Sequence, residues 1–181
     1  MQNSVPLAKP QYASAKHRLL SMLYDGLLLT AVLFIAMAIF VPIAKSAGFE
    51  TGHPVFTVYF LSVCFLFYAG FWTHGGQTLG MRTWKIKLRH ENGQAISWSQ
   101  ALLRYMTALP AWIVIMVGTS TLILDAPLNL PKPIDWINTL PDGLLLGIGL
   151  VMLYFDQRPN NWRDRFSHTQ IIRINYSPNA S

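Results

Sequence analysis

The chain has 181 residues, 52% of them hydrophobic and only 12% charged, with a formal net charge of +6. A soluble domain carries about 25% charged residues, so this composition excludes an ordinary water-facing globule and points to a membrane protein. The length suits one domain, and a single cysteine, Cys64, excludes an intramolecular disulfide.

Residues 1–15 are polar, contain Pro6 and Pro10, and read as a loose tail. The first apolar run covers residues 19–44. As a helix it is about 39 Å long, more than the ~30 Å hydrocarbon core, so it is expected to tilt. It is also too long for the apolar part of a signal peptide. Arg18 precedes this run and Asp25 lies inside it. Seven residues turn a helix through about 700°, which sets both charges on one face about 10 Å apart. A carboxylate within a span is costly and is a functional-site hypothesis by default.

A polar loop follows, and residues 55–72, rich in Phe and Tyr, form the second run. Its exit is glycine-rich, with Gly75, Gly76, Gln77, Thr78 and Gly80. From Thr83 the period falls to two: Trp84, Ile86 and Leu88 alternate with Lys85, Lys87 and Arg89, and Glu91-Asn92-Gly93-Gln94 is a turn signal. A short surface strand is expected there. Ser97 or Ser99 is placed to cap a helix that carries Arg104 and Tyr105 into a third span over residues 108–124, with Pro110 early in it. Residues 125–142 form a proline-rich loop in which Trp136 is a candidate interfacial anchor.

The fourth apolar run, residues 143–155, covers only about 20 Å as a helix. A start near Ile137 or a re-entrant segment are the alternatives, and the arginines that follow favour a full crossing. Residues 169–174 are β-prone and are expected to pair with residues 83–89, because lone edge strands need partners for their backbone groups.

The basic residues decide orientation. Lys9, Lys16 and Arg18 precede the first run; Arg82, Lys85, Lys87, Arg89 and Arg104 lie between the second and third; Arg158, Arg163, Arg165 and Arg173 follow the fourth. Only Lys45 and Lys132 fall in the other loops. This positive-inside pattern puts both termini in the cytoplasm and makes the charge a topology signal rather than a sign of nucleic-acid binding.

Motifs for chemistry are sparse. Gly75-x4-Gly80 fails as a phosphate loop, since Met81-Arg82 stands where Lys-Ser/Thr is needed. Glycines at 76 and 80 instead suit a sharp turn or a close helix approach. The five histidines lack ligand spacing, so neither a metal nor a cofactor is expected. No nucleophile or acid–base constellation suggests an enzyme. Asp25 is the exception, with two readings: a proton or cation site between helices, or a structural contact that fixes packing. Arg18, Arg104 and Asp164 are the charges best placed to meet it, so the four are expected to form one cluster.

These residues resemble the RDD family of integral membrane proteins, named for one arginine and two aspartates. The similarity lies in Arg18 through Asp25-Gly26, in Gly76-Gln77-Thr78-Leu79-Gly80 with Arg104, and in Phe155-Asp156 through Arg163-Asp164-Arg165 and Thr169. It implies that Arg18, Asp25 and Asp164 are the naming residues. His168 stands where the family usually has glycine. The expected architecture is an all-α membrane protein of four transmembrane helices, N-in and C-in, with a small cytoplasmic β element. It comprises a tail (1–15), the transmembrane domain (16–175) and a C-terminal tail (176–181). The expected location is a bacterial inner membrane. Family resemblance implies a transport-related function, such as cation–proton exchange, or a non-transporting scaffold or assembly module. The partners expected are the bilayer and a second copy or another membrane protein. The environment of Asp25 discriminates between the two functions. A wet cavity reaching it supports transport; a dry, fully paired carboxylate supports scaffolding.

Overall fold

The computed structural model describes residues 11–124, 136, 137, 139–141 and 143–174. The tails at 1–10 and 175–181 and the prolines at 127, 131 and 133 lie outside the described residues. Six helices and two strands are present among those described: α1 (Ala15–Ser46), α2 (Pro54–His74), α3 (Leu79–Thr83), β1 (Ile86–His90), α4 (Trp98–Leu124), α5 (Leu144–Asp156), α6 (Trp162–Phe166) and β2 (Thr169–Arg173).

Three helices, α1, α2 and α4, are long and apolar enough to cross a membrane. Their apolar side chains mostly face outward: Leu27 is 76% and Phe34 77% exposed. In water such exposure is untenable, whereas in lipid it carries no hydrophobic penalty. The helix ends follow local chemistry. Pro54 opens α2, where a missing N–H is harmless. The Ser97 hydroxyl accepts from Gln100 N–H at 3.3 Å and the Gln100 side chain accepts from Ser97 N–H at 3.0 Å, a reciprocal cap that starts α4. The helix therefore begins at Trp98, beside the expected Ser97 cap, and runs unbroken through Pro110 to Leu124.

Helix α5 lies antiparallel against α4. Gly118 faces the backbone of Leu146, and Gly149 faces Ile115, whose N lies 2.9 Å from where a glycine Cβ would stand. Any side chain at either glycine would separate the two helices. Towards its end, α5 returns the chain to the end of the molecule where α1 begins.

That end holds the core. The strands pair antiparallel, Ile86 opposite Arg173 through His90 opposite Thr169, as the alternation predicted. Ile86 and Leu88 are buried, while Lys85 and Lys87 are exposed. The start of the chain adds a third extended piece. Tyr12 bridges to Ile172, and Ala13 N–H donates to the Ile171 carbonyl at 3.0 Å. Residues 11–13 are thus docked on β2 rather than loose. Trp72, Met81, Ile96 and Ala101 pack against this small sheet. Helix α3 was not expected. It forms because the Thr78 side chain accepts from Met81 N–H at 3.2 Å, capping a single turn within the glycine-rich exit.

Candidate functional site

The charged residues converge at this end, beneath the small sheet. Arg18, Ser21 and Asp25 are the buried face of the first half of α1. The seven-residue spacing does put Arg18 and Asp25 on one face, and each is 2% exposed. They engage different partners.

Arg18 donates through Nη1 to Asp164 Oδ2 at 2.9 Å and through Nε to the Ala13 carbonyl at 3.3 Å. Arg104, from the first turns of α4, donates through Nη1 to Asp164 Oδ1 at 2.7 Å and to the Thr169 hydroxyl at 2.8 Å. Its guanidinium also lies 5.9 Å from the centre of the Trp72 ring, within cation–π range. Asp164 thus holds a guanidinium on each oxygen and ties α1, α4 and α6 together. It is aimed there by α6, whose cap residue Asn161 accepts from Asp164 N–H at 2.8 Å. Burial opposes ionisation of Asp164, but Arg104 and Arg18 outweigh it and hold the carboxyl below its usual range.

A second buried pair, Arg163 with Asp156, stands beside the first. Arg163 also donates to the Arg104 carbonyl at 3.5 Å. Burial lowers the Arg163 pKa, Arg104 adds to that effect and Asp156 opposes it. The sequence reading did not single out this pair. Its signal was present: Asp156 closes the fourth apolar run, and an arginine seven residues later follows a turn marked by Pro159 and Asn160.

Asp25 stands apart from these ion pairs. Its Oδ2 accepts from the Thr78 hydroxyl and its Oδ1 accepts from Gly80 N–H at 2.8 Å. Both partners are neutral, and Asp25 makes no ion pair among the described residues. The expected four-charge cluster therefore divides. Arg18, Arg104 and Asp164 form a triad, and Asp25 instead fastens α3 to α1. Gly80 lies so close to α1 that a Cβ would strike the Ser21 carbonyl oxygen and crowd the Asp25 carboxylate, so α3 packs directly on Asp25.

The other glycine-turn residues serve the same junction. Gly76 has φ +70°, and a Cβ there would strike the Leu88 carbonyl oxygen. Its own carbonyl accepts from Leu88 N–H at 2.7 Å. Gln77 donates to the Ile86 carbonyl at 2.7 Å. Gly76 and Gln77 thus hold β1, while Thr78 and Gly80 hold Asp25. No group of three or more His, Cys, Asp or Glu suited to a metal ion occurs among the described residues.

The sequence model of the RDD family matches residues 12–168. No curated protein and no solved structure matches the chain.

Proposed function

The chain belongs to the RDD family, an integral membrane family, and from that premise we propose that it is a non-transporting membrane scaffold or assembly module. The observation that carries this reading is the state of Asp25. It is 2% exposed, and its two oxygens are occupied by Gly80 of α3 and by the α3 cap residue Thr78. The triad on Asp164 has the same character, with each carboxylate oxygen bound to an arginine that belongs to a different helix. Charges used in this way set the register of helices that apolar packing alone would leave free to slide.

Four crossings with both termini in the cytoplasm fit this reading. The antiparallel run of α5 along α4 supports the fourth, and the charged end, rich in arginine and lysine, takes the cytoplasmic side. The location would be the inner membrane of a bacterium, with a second copy or another membrane protein as partner.

One observation favours cation–proton exchange as a second reading. The partners of Asp25 are neutral, so no neighbouring cation fixes its charge. Reconstitution separates the two. Vesicles containing the protein are given a pH gradient and then sodium, lithium or potassium ions. A scaffold collapses the gradient no faster than protein-free vesicles. Collapse on cation addition that Asp25→Asn abolishes, in a protein that still folds, overturns the scaffold reading.

A further inference from the structure

We propose that the groove between α2 and α3 holds one anionic phospholipid, with an acyl chain lying along α2 and the headgroup phosphate on Arg82 and Lys87. The groove has a volume of about 440 Å³. Its walls along α2 are Leu66, Phe67, Gly70 and Phe71. Phe67 and Phe71 are packed edge to face, with ring centres 5.3 Å apart. Gly70 makes the notch: a Cβ there would meet nothing within 4 Å. From Leu66 to His74 the groove runs about 12 Å along the helix. That is a length of apolar surface suited to a hydrocarbon chain rather than to a small ion.

The other end of the groove is polar and is formed by His74, Gly75 and Arg82. An Arg82 Nη lies 3.9 Å from the position a Gly75 Cβ would take, so its guanidinium overhangs the glycine turn. The Lys87 stem crosses the neighbouring Gly76, with Cε 3.1 Å from the corresponding position. His74 Nδ1 lies 2.9 Å from the Gly70 carbonyl, which can only accept, so Nδ1 carries the proton and Nε2 is the nitrogen left for a ligand. The last carbonyls of α2, poor neighbours for an anion, are capped by Gly75 and Gly76 N–H groups.

Charge complementarity identifies the occupant. The carboxylates described at this end are already engaged: Asp25 by Thr78 and Gly80, Asp156 by Arg163, Asp164 by Arg18 and Arg104. Glu91 lies 3.9 Å from His168. Arg82 and Lys87 have no carboxylate partner among the described residues, and both are exposed. An apolar channel that ends in unpaired cations at the charged end of a membrane protein matches an anionic lipid in both of its parts.

The test is native mass spectrometry of the full chain in detergent, titrated with phosphatidylglycerol or phosphatidylcholine of the same chain length. The expected result is one phosphatidylglycerol per chain, held in preference to phosphatidylcholine. Arg82→Gln should weaken phosphatidylglycerol binding about fivefold, the effect of one basic residue at an anionic surface. Gly70→Leu, whose Cβ would meet nothing within 4 Å, places its side chain in the notch and should weaken both lipids. Arg165→Gln removes an exposed arginine on α6, away from the groove, and should leave binding unchanged. Equal retention of the two lipids, equal loss in Arg82→Gln and Arg165→Gln, or competition by millimolar inorganic phosphate would each overturn the assignment. The last would mark a soluble-anion site.

Discussion

Asp164 is 3% exposed and carries two ion pairs, to Arg18 of α1 and Arg104 of α4. Removing its charge leaves Arg18 and Arg104 buried without a carboxylate between them. Asp164→Asn is expected to cost about 3–5 kcal/mol, the usual effect of breaking a buried pair on one side, read as a lowered unfolding midpoint in detergent. The pH dependence follows from the same contact. The carboxyl is held below its ordinary value of about 3.9, so its contribution is fully present above that value. It is lost as the pH falls through the lower folded-state value. Asp164→Asn should remove that acid-side loss. That Arg18, Arg104 and Asp164 share one neighbourhood was legible in the sequence, because charges flanking apolar runs have few alternatives to one another; that they gather on Asp164 rather than on Asp25 was not. The partners of Asp25 were not, because one of them is a backbone N–H, which every residue offers alike.

At the scale of elements, alternation of Trp84, Ile86 and Leu88 with basic residues forecast a strand and its pairing with β2. Helix α3 escaped because a single turn has no periodicity to read; only its cap, Thr78, marks it. Its contact with α1 depends on Gly80. Gly80→Ala is expected to push α3 off Ser21, disturb the Asp25 contact and cost about 1–3 kcal/mol, as overpacking does. The turn between α6 and β2 makes the opposite prediction. His168 sits there at φ +50°, a left-handed conformation that favours glycine. This gives a physical reason for the family's usual glycine at that position. His168→Gly should raise stability by up to about 1 kcal/mol, the balance of relieved strain against added chain entropy. The exposed contact with Glu91 that it removes is worth little.

On the scale of the whole molecule, the apolar helices present themselves to lipid while one end is tied by a sheet, two buried arginine–aspartate groupings and a capped carboxylate. The order of apolar runs was readable from composition. That residues 13, 80 and 171 join the charges there was not, because it depends on how the helices are arranged rather than on any local pattern. This arrangement makes fastenings of the buried charges, Asp25 among them. The most direct measurement is the unfolding midpoint of Asp25→Asn beside the parent protein in the same detergent. As a fastening, Asp25 stabilises, so the substitution should lower the midpoint, with a loss of about 1–2 kcal/mol for weakened hydrogen bonds to Thr78 and Gly80. A site kept for ion movement holds a buried carboxylate at a cost to stability. An unchanged or raised midpoint in Asp25→Asn would therefore contradict the account.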